Sequence, residues 1–211
     1  MTERASVTTF VMGARLPWPD DSPVPDDSGP FEGGVLHNSG FRQDCTIRKI
    51  SALGATVRSA VQSTPGEELI VELPSGQRTA ATVEWASHGE TGIRFAKPVD
   101  VLALINRNLV NQPIDRRAMP RVEIRCAAYI KRGEDFIAAT IRNISALGFQ
   151  LEGDSLPPVG TYVSLFLEGM NVPPGEIAWR KDRLAGIQLV EELSWASIMP
   201  WIREAVKKQA H

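Results

Sequence analysis

The nine residues Thr46-Ile47-Arg48-Lys49-Ile50-Ser51-Ala52-Leu53-Gly54 return as Thr140-Ile141-Arg142-Asn143-Ile144-Ser145-Ala146-Leu147-Gly148, with eight positions identical at an offset of 94. The same offset, without a gap, carries Gly66 to Gly160, Leu73 to Leu167, Trp85 to Trp179 and Gly92-Ile93 to Gly186-Ile187. A register held over about fifty residues means one fold used twice. The 211 residues therefore divide into two domains, each long enough to enclose a core of its own.

Inside each copy the apolar residues alternate with period two, as in Leu69-Ile70-Val71-Glu72-Leu73 and Tyr162-Val163-Ser164-Leu165-Phe166-Leu167, with turn residues between the runs. Short alternating segments of this kind predict strands, and their number predicts a small antiparallel barrel in each copy. The period then becomes helical. Asp100 is placed to cap a helix whose apolar face is Val101, Leu102, Ile105 and Leu109. In the second copy Ser194 can cap a turn, and Pro200 predicts that the main helix begins near that residue, with Trp201, Ile202, Ala205 and Val206 inward and Lys207 and Lys208 at its negative end.

Residues 1–34 are rich in Pro, Asp, Ser and Gly and carry six acidic against two basic residues, which predicts a largely disordered tail that Trp18 or Phe31 could pin. Domains are expected at 35–112 and 113–211. The formal net charge is −2, so bulk charge draws the protein to neither nucleic acid nor anionic lipid, and any anion site has to be local. No apolar run approaches the ~18 residues of a membrane span, and no signal peptide opens the chain, so a cytoplasmic protein without membrane insertion is expected. Cys45 and Cys126 lack a second sulfur or a His at ligand spacing, which predicts small buried hydrophobes rather than a metal site.

Candidate chemistry gathers around the junction. Gln112-Pro113-Ile114-Asp115-Arg116-Arg117-Ala118-Met119-Pro120-Arg121 joins the first helix to the strand in which Val122, Ile124 and Cys126 alternate with polar residues. Three guanidinium groups in six residues can fork a phosphate or lie on a planar ring. Asn143-Ile144-Ser145-Ala146-Leu147-Gly148 follows where a strand ends in a turn, and alternation puts Asn143 and Ser145 on one side of it. An amide, a hydroxyl and an approachable backbone beside an arginine-rich hinge outline a site for a phosphorylated nucleobase.

At these residues the sequence resembles the PilZ domain family, whose ligand signature is Arg-x-x-x-Arg followed by Asp/Asn-x-Ser-x-x-Gly. Arg117 and Arg121, then Asn143, Ser145 and Gly148, match it. The resemblance spans the second domain and implies a mainly β fold: two tandem six-stranded antiparallel PilZ-type barrels, each followed by a C-terminal helix. It also implies that the chain binds cyclic di-GMP. By the same resemblance Arg117 and Arg121 hold phosphates and guanines, Asn143 and Ser145 hold guanine and phosphate, and Gly148 makes the turn. Arg116 directly before the motif implies two stacked ligands per site. The first copy has Lys49 in place of the Asp/Asn and no preceding Arg-x-x-x-Arg, so it is expected to bind no nucleotide and to serve as scaffold or partner surface.

The expected function is that of a non-catalytic cyclic di-GMP receptor, without a cofactor, that changes its interdomain arrangement and signals to a protein partner. No His-Glu-x-x-His, Gly-x-Ser-x-Gly or Gly-x-x-x-x-Gly-Lys motif is present, and His37, His88 and His211 are scattered. Two other readings compete with it. One is an interaction adaptor that binds no nucleotide; the other is a ligand-gated DNA-binding regulator, which the net charge and the acidic tail oppose.

Overall fold

The computed structural model describes residues 7–13, 15–17, 31–38, 40–61, 63–111 and 120–209. The chain forms two compact units, Glu3–Arg121 and Val122–His211. The first contains β1 (Thr9–Val11), β2 (Glu32–Asn38), β3 (Phe41–Ser51), β4 (Gly54–Ser59), β5 (Glu68–Glu72), β6 (Arg78–Ser87), β7 (Glu90–Phe95) and α1 (Val101–Asn111). The second contains β8 (Arg121–Arg132, its first residue closing the first unit), β9 (Asp135–Ser145), β10 (Gly148–Glu152), β11 (Tyr162–Phe166), β12 (Gly175–Lys181), β13 (Leu184–Leu189) and α2 (Trp195–Gln209).

The second unit is a closed antiparallel barrel of six strands: β8 pairs with β9, β9 with β10, β10 with β13, β13 with β12, β12 with β11, and β11 returns to β8. Closure leaves no sheet edge to template aggregation. Period-two patterning fills it: Val122, Ile124, Ile130, Ile141, Ile144, Leu151 and Ile177 are fully buried, and α2 adds Ile198 and Ile202. In the first unit the antiparallel pairings run β3–β2–β5–β6–β7–β4 and back to β3. Backbone bonds recur at the offset of the repeat. Gly66 N–H donates to the Val83 carbonyl (2.8 Å) and Gly160 N–H to that of Ile177 (2.9 Å); Phe95 N–H donates to Leu53 (2.8 Å) and Leu189 N–H to Leu147 (3.0 Å).

Part of the segment expected to be a disordered tail is ordered. Thr9-Phe10-Val11 forms a buried strand parallel to Lys49-Ile50-Ser51 of β3. Thr8 fixes its entry, donating from Oγ1 to the Ile47 carbonyl (2.7 Å) and accepting from the Glu32 N–H (2.8 Å). The Pro/Asp composition of the whole segment masked three consecutive β-formers within it. Phe31 lies under the Arg48 guanidinium, 4.1 Å from ring centroid to charge, while Trp18 is outside the described residues.

The helix ends give one agreement and one correction. Asp100 caps α1, its Oδ1 accepting from Ala103 N–H (3.0 Å); Val101 and Ile105 are buried as expected, Leu104 is buried in place of the half-buried Leu102, and the Leu109 side chain lies outside the described residues. The second helix does not wait for Pro200; it begins at Trp195 and runs through it. Ser194 nucleates it, with Oγ accepting from Ala196 N–H (3.2 Å) and the carbonyl accepting from Ser197 (2.9 Å) and Ile198 (3.0 Å). Pro200 is exposed, and so is Ala196, whose carbonyl the missing N–H would have bonded, so the lost bond falls on the solvent side of the helix.

Candidate ligand site on the second unit

The outer face of β9 is shaped by a bulge. Gln150 is opposite Asn143 but Leu151 is opposite Ile141, so Arg142 has no partner across the ladder. Ile141 and Ile144 both point into the core, three residues apart, which turns Arg142 and Asn143 outward together. Ser145 follows on the same side, opposite Gly148, and Gly148 in turn is opposite Gln188. On β8, Val122 faces Ile144 and Glu123 faces Asn143. Alternation along β8 puts the half-buried Arg121 on the outer side with Glu123.

The structure thus brings Asn143, Ser145 and Gly148 together on one outer face, with Arg121 at the start of the adjoining strand. Arg116 and Arg117 lie outside the described residues.

Two of the motif residues have a plain structural duty. Ser145 Oγ donates to the Gly148 carbonyl (3.4 Å), and Ser51 Oγ does the same to Gly54 (3.3 Å) while accepting from the Leu53 and Gly54 N–H groups (3.1 and 3.2 Å). A Cβ on Gly148 would overlap the Ile187 carbonyl oxygen, and one on Gly54 would overlap that of Ile93. The turn needs both residue types in both copies. Asn143 has no such duty, and its counterpart is Lys49, so among these three residues it separates a binding face from a folded turn.

Sequence reasoning missed Arg142, Gln150 and Arg125. The signal for Arg142 was legible: two isoleucines spaced by three in an otherwise period-two strand mark a bulge. Arg142 Nη1 bonds Glu152 Oε2 (2.5 Å). That hydrogen bond, with the charges of Arg142, Arg125 and Arg183, holds the Glu152 carboxyl below the usual carboxylate range. Arg183 also pairs with Asp154 (2.9 Å). Arg142 and Arg183 are thus each paired with a carboxylate on this side of the barrel.

Trp179 and Trp85 pack. Each is opposite a glycine, Gly186 and Gly92, where a Cβ would overlap the indole. Cys45 is buried and its thiol is pushed up to about 12 by burial. Cys126, expected to be buried, is half-buried: it keeps the inward parity of Ile124 and Ala128 on β8, but its sulfur meets the Gln209 amide (3.8 Å). No group of His, Cys, Asp or Glu among the described residues could hold a metal ion, and no described helix is long and apolar enough to cross a membrane.

No protein-family model matches the chain. No curated protein matches it either. Among solved structures it is similar to the Borreliella burgdorferi PlzA protein in complex with c-di-GMP (11% identity, 80% of this chain and 85% of that one, TM-score 0.33). It is also similar to Escherichia coli YcgR in complex with c-di-GMP (11%, 85% and 85%, 0.32) and to the Bacillus subtilis inhibitor of motility MotI/DgrA (14%, 85% and 96%, 0.31). At such identities and TM-scores the function has to be argued from the residues themselves.

Proposed function

We propose that the chain is a non-catalytic receptor for cyclic di-GMP, built from two tandem PilZ-type barrels of which the second binds the ligand. One observation carries this reading. The two copies share the turn residues Ser and Gly with the same hydrogen bond, whereas the sequence carries Arg-x-x-x-Arg and the Asn only in the second, where Asn143 is on the outer face of β9.

Arg117 and Arg121 supply forked donors to phosphate oxygens and to guanine O6 and N7, and flat cations to purine faces. Asn143 offers its amide to a guanine edge, and Ser145 its hydroxyl. Arg116 adds the cation for a second, stacked ligand. Charge-assisted hydrogen bonds contribute about 1.5–3 kcal/mol each, so a few offset the ordering of a short hinge and leave the ~8 kcal/mol of micromolar affinity. Ordering residues 116–121 onto the barrel favours one domain arrangement, which is the signal a protein partner reads.

Calorimetric titration of cyclic di-GMP into the wild type and an Arg117→Ala, Arg121→Ala double variant, with GTP as control, tests this. Micromolar or tighter binding that the variant loses is the expected result, with two ligands per chain if Arg116 acts as stated. Absence of wild-type binding at several temperatures overturns the receptor and leaves the adaptor.

A further inference from the structure

The gapless repeat gives each surface position of one copy a counterpart in the other, so a side chain that the fold does not require shows itself by difference. On the outer side of β8, β9 and β11, Tyr129, Phe136 and Phe166 are 55%, 60% and 49% exposed. Tyr129 and Phe166 are directly opposite across the ladder, and the Phe136 and Phe166 rings lie 5.7 Å apart, tilted by 52°. Lys131, opposite Phe136, holds its ammonium 5.5 Å from that ring's centroid.

Ninety-four residues earlier the three aromatic positions are Val35, Arg42 and Glu72, and His37 stands for Lys131. There Glu72 pairs with Arg78 (2.8 Å) and His37 (3.3 Å), a solvated ionic surface. The strand lattice at these positions is therefore satisfied by Val, Arg and Glu, and the exposed rings of the second unit are not a demand of the fold. At ~200 Å² per ring they amount to roughly 300–400 Å² of apolar surface, within the range of the largest patch on a typical monomer, which is often functional.

The adjoining hairpin says what covers it. Lys131-Arg132-Gly133-Glu134-Asp135 turns in two residues, with Gly133 at φ 60°, and places two cations on one arm and two anions on the other. The Arg132–Asp135 pair across it (3.1 Å) is about half exposed and can exchange partners at little cost. An isologous interface must be complementary to itself, since the same patch meets its own copy about a two-fold axis. An axis beside this hairpin sets Lys131 and Arg132 of one copy against Glu134 and Asp135 of the other, and rings against rings. The counterpart hairpin, His37-Asn38-Ser39-Gly40-Phe41, has no such charge pattern.

We propose that Tyr129, Phe136, Phe166 and the 131–135 hairpin form a self-complementary docking surface for a second copy of this chain. The aromatic area is about half of the ~800 Å² per partner of a stable interface, so the dimer is weak and concentration-dependent.

Sedimentation equilibrium of the full chain from ~1 to ~300 µM tests it, with a reversible monomer–dimer Kd of ~10–100 µM expected. A Phe136→Glu, Phe166→Glu double variant is expected to remain monomeric with unchanged circular dichroism. Lys131→Glu with Arg132→Glu, and separately Glu134→Lys with Asp135→Lys, reverse the charges of the hairpin and each weaken self-association at least ~10-fold with unchanged circular dichroism, while an equimolar mixture restores a heterodimer. A wild type monomeric throughout, a dimer indifferent to these changes, or a mixture that fails to associate overturns the proposal.

Discussion

The indole of Trp179 fills the space that a β-carbon on Gly186 would need, and Trp85 stands in the same relation to Gly92 in the first unit. The tryptophan and the glycine are direct cross-strand partners in each copy, just past a register shift in the strand that bears the tryptophan. Each indole is thereby committed to packing, and Gly186→Ala and Gly92→Ala should each destabilise by about 1–3 kcal/mol through overpacking. Urea unfolding measures this; a neutral substitution at either glycine would show that the indole moves aside freely.

Gly148 belongs to the ligand motif, yet the Ile187 carbonyl oxygen explains it without a ligand, as the Ile93 carbonyl explains Gly54. Gly148→Ala and Gly54→Ala should therefore lower stability by comparable amounts, more than ~1 kcal/mol each, because neither backbone can retreat from the strand it is paired with. A large loss at one and none at the other, by chemical denaturation, would separate the two turns.

Asn143 is the converse case. Replacing it with Lys, the residue of the first copy, should lower cyclic di-GMP affinity at least ~10-fold in calorimetry and leave the thermal midpoint within a few degrees. The reciprocal Lys49→Asn should create no binding in the first unit, which lacks the arginines. Retained affinity in Asn143→Lys would move ligand recognition elsewhere.

The two thiols should titrate apart. Burial raises the Cys45 thiol to about 12, and it raises the half-buried Cys126 thiol against a hydrogen bond from Gln209. In folded protein near pH 8, Cys126 is expected to react with a maleimide or disulfide reagent well before Cys45. Linkage fixes the sign for stability: the unfolded Cys45 ionises near ~8.5 while the folded one stays protonated, so its contribution is present below that pH and is lost as pH rises from ~8.5 towards 12. A Cys45→Ala variant should show a shallower loss of stability over that alkaline range.

Ser194 caps α2 through both its hydroxyl and its carbonyl. Ser194→Ala removes only the first and should cost about 1 kcal/mol. A thermal midpoint unchanged in that variant would mean that the backbone bonds alone start the helix.

The amino-acid sequence by itself determined the repeat, the alternation of the strands, the Asp100 cap and the Asn-x-Ser-x-x-Gly turn, because each is a local period or a local chemical need. Tertiary structure decided what depends on partners distant in sequence. The buried strand Thr9–Val11 exists through its pairing with Lys49–Ser51, which nothing in its Pro- and Asp-rich surroundings announces. Pro200 is tolerated because the bond it removes faces solvent, a matter of which side of α2 meets the core. Arg142 joins Asn143 because β9 bulges against β10. The division has one physical reason: propensity and period act over a few residues, whereas register, burial and the close approach of Gly148 to the Ile187 carbonyl arise only when a second strand is laid alongside.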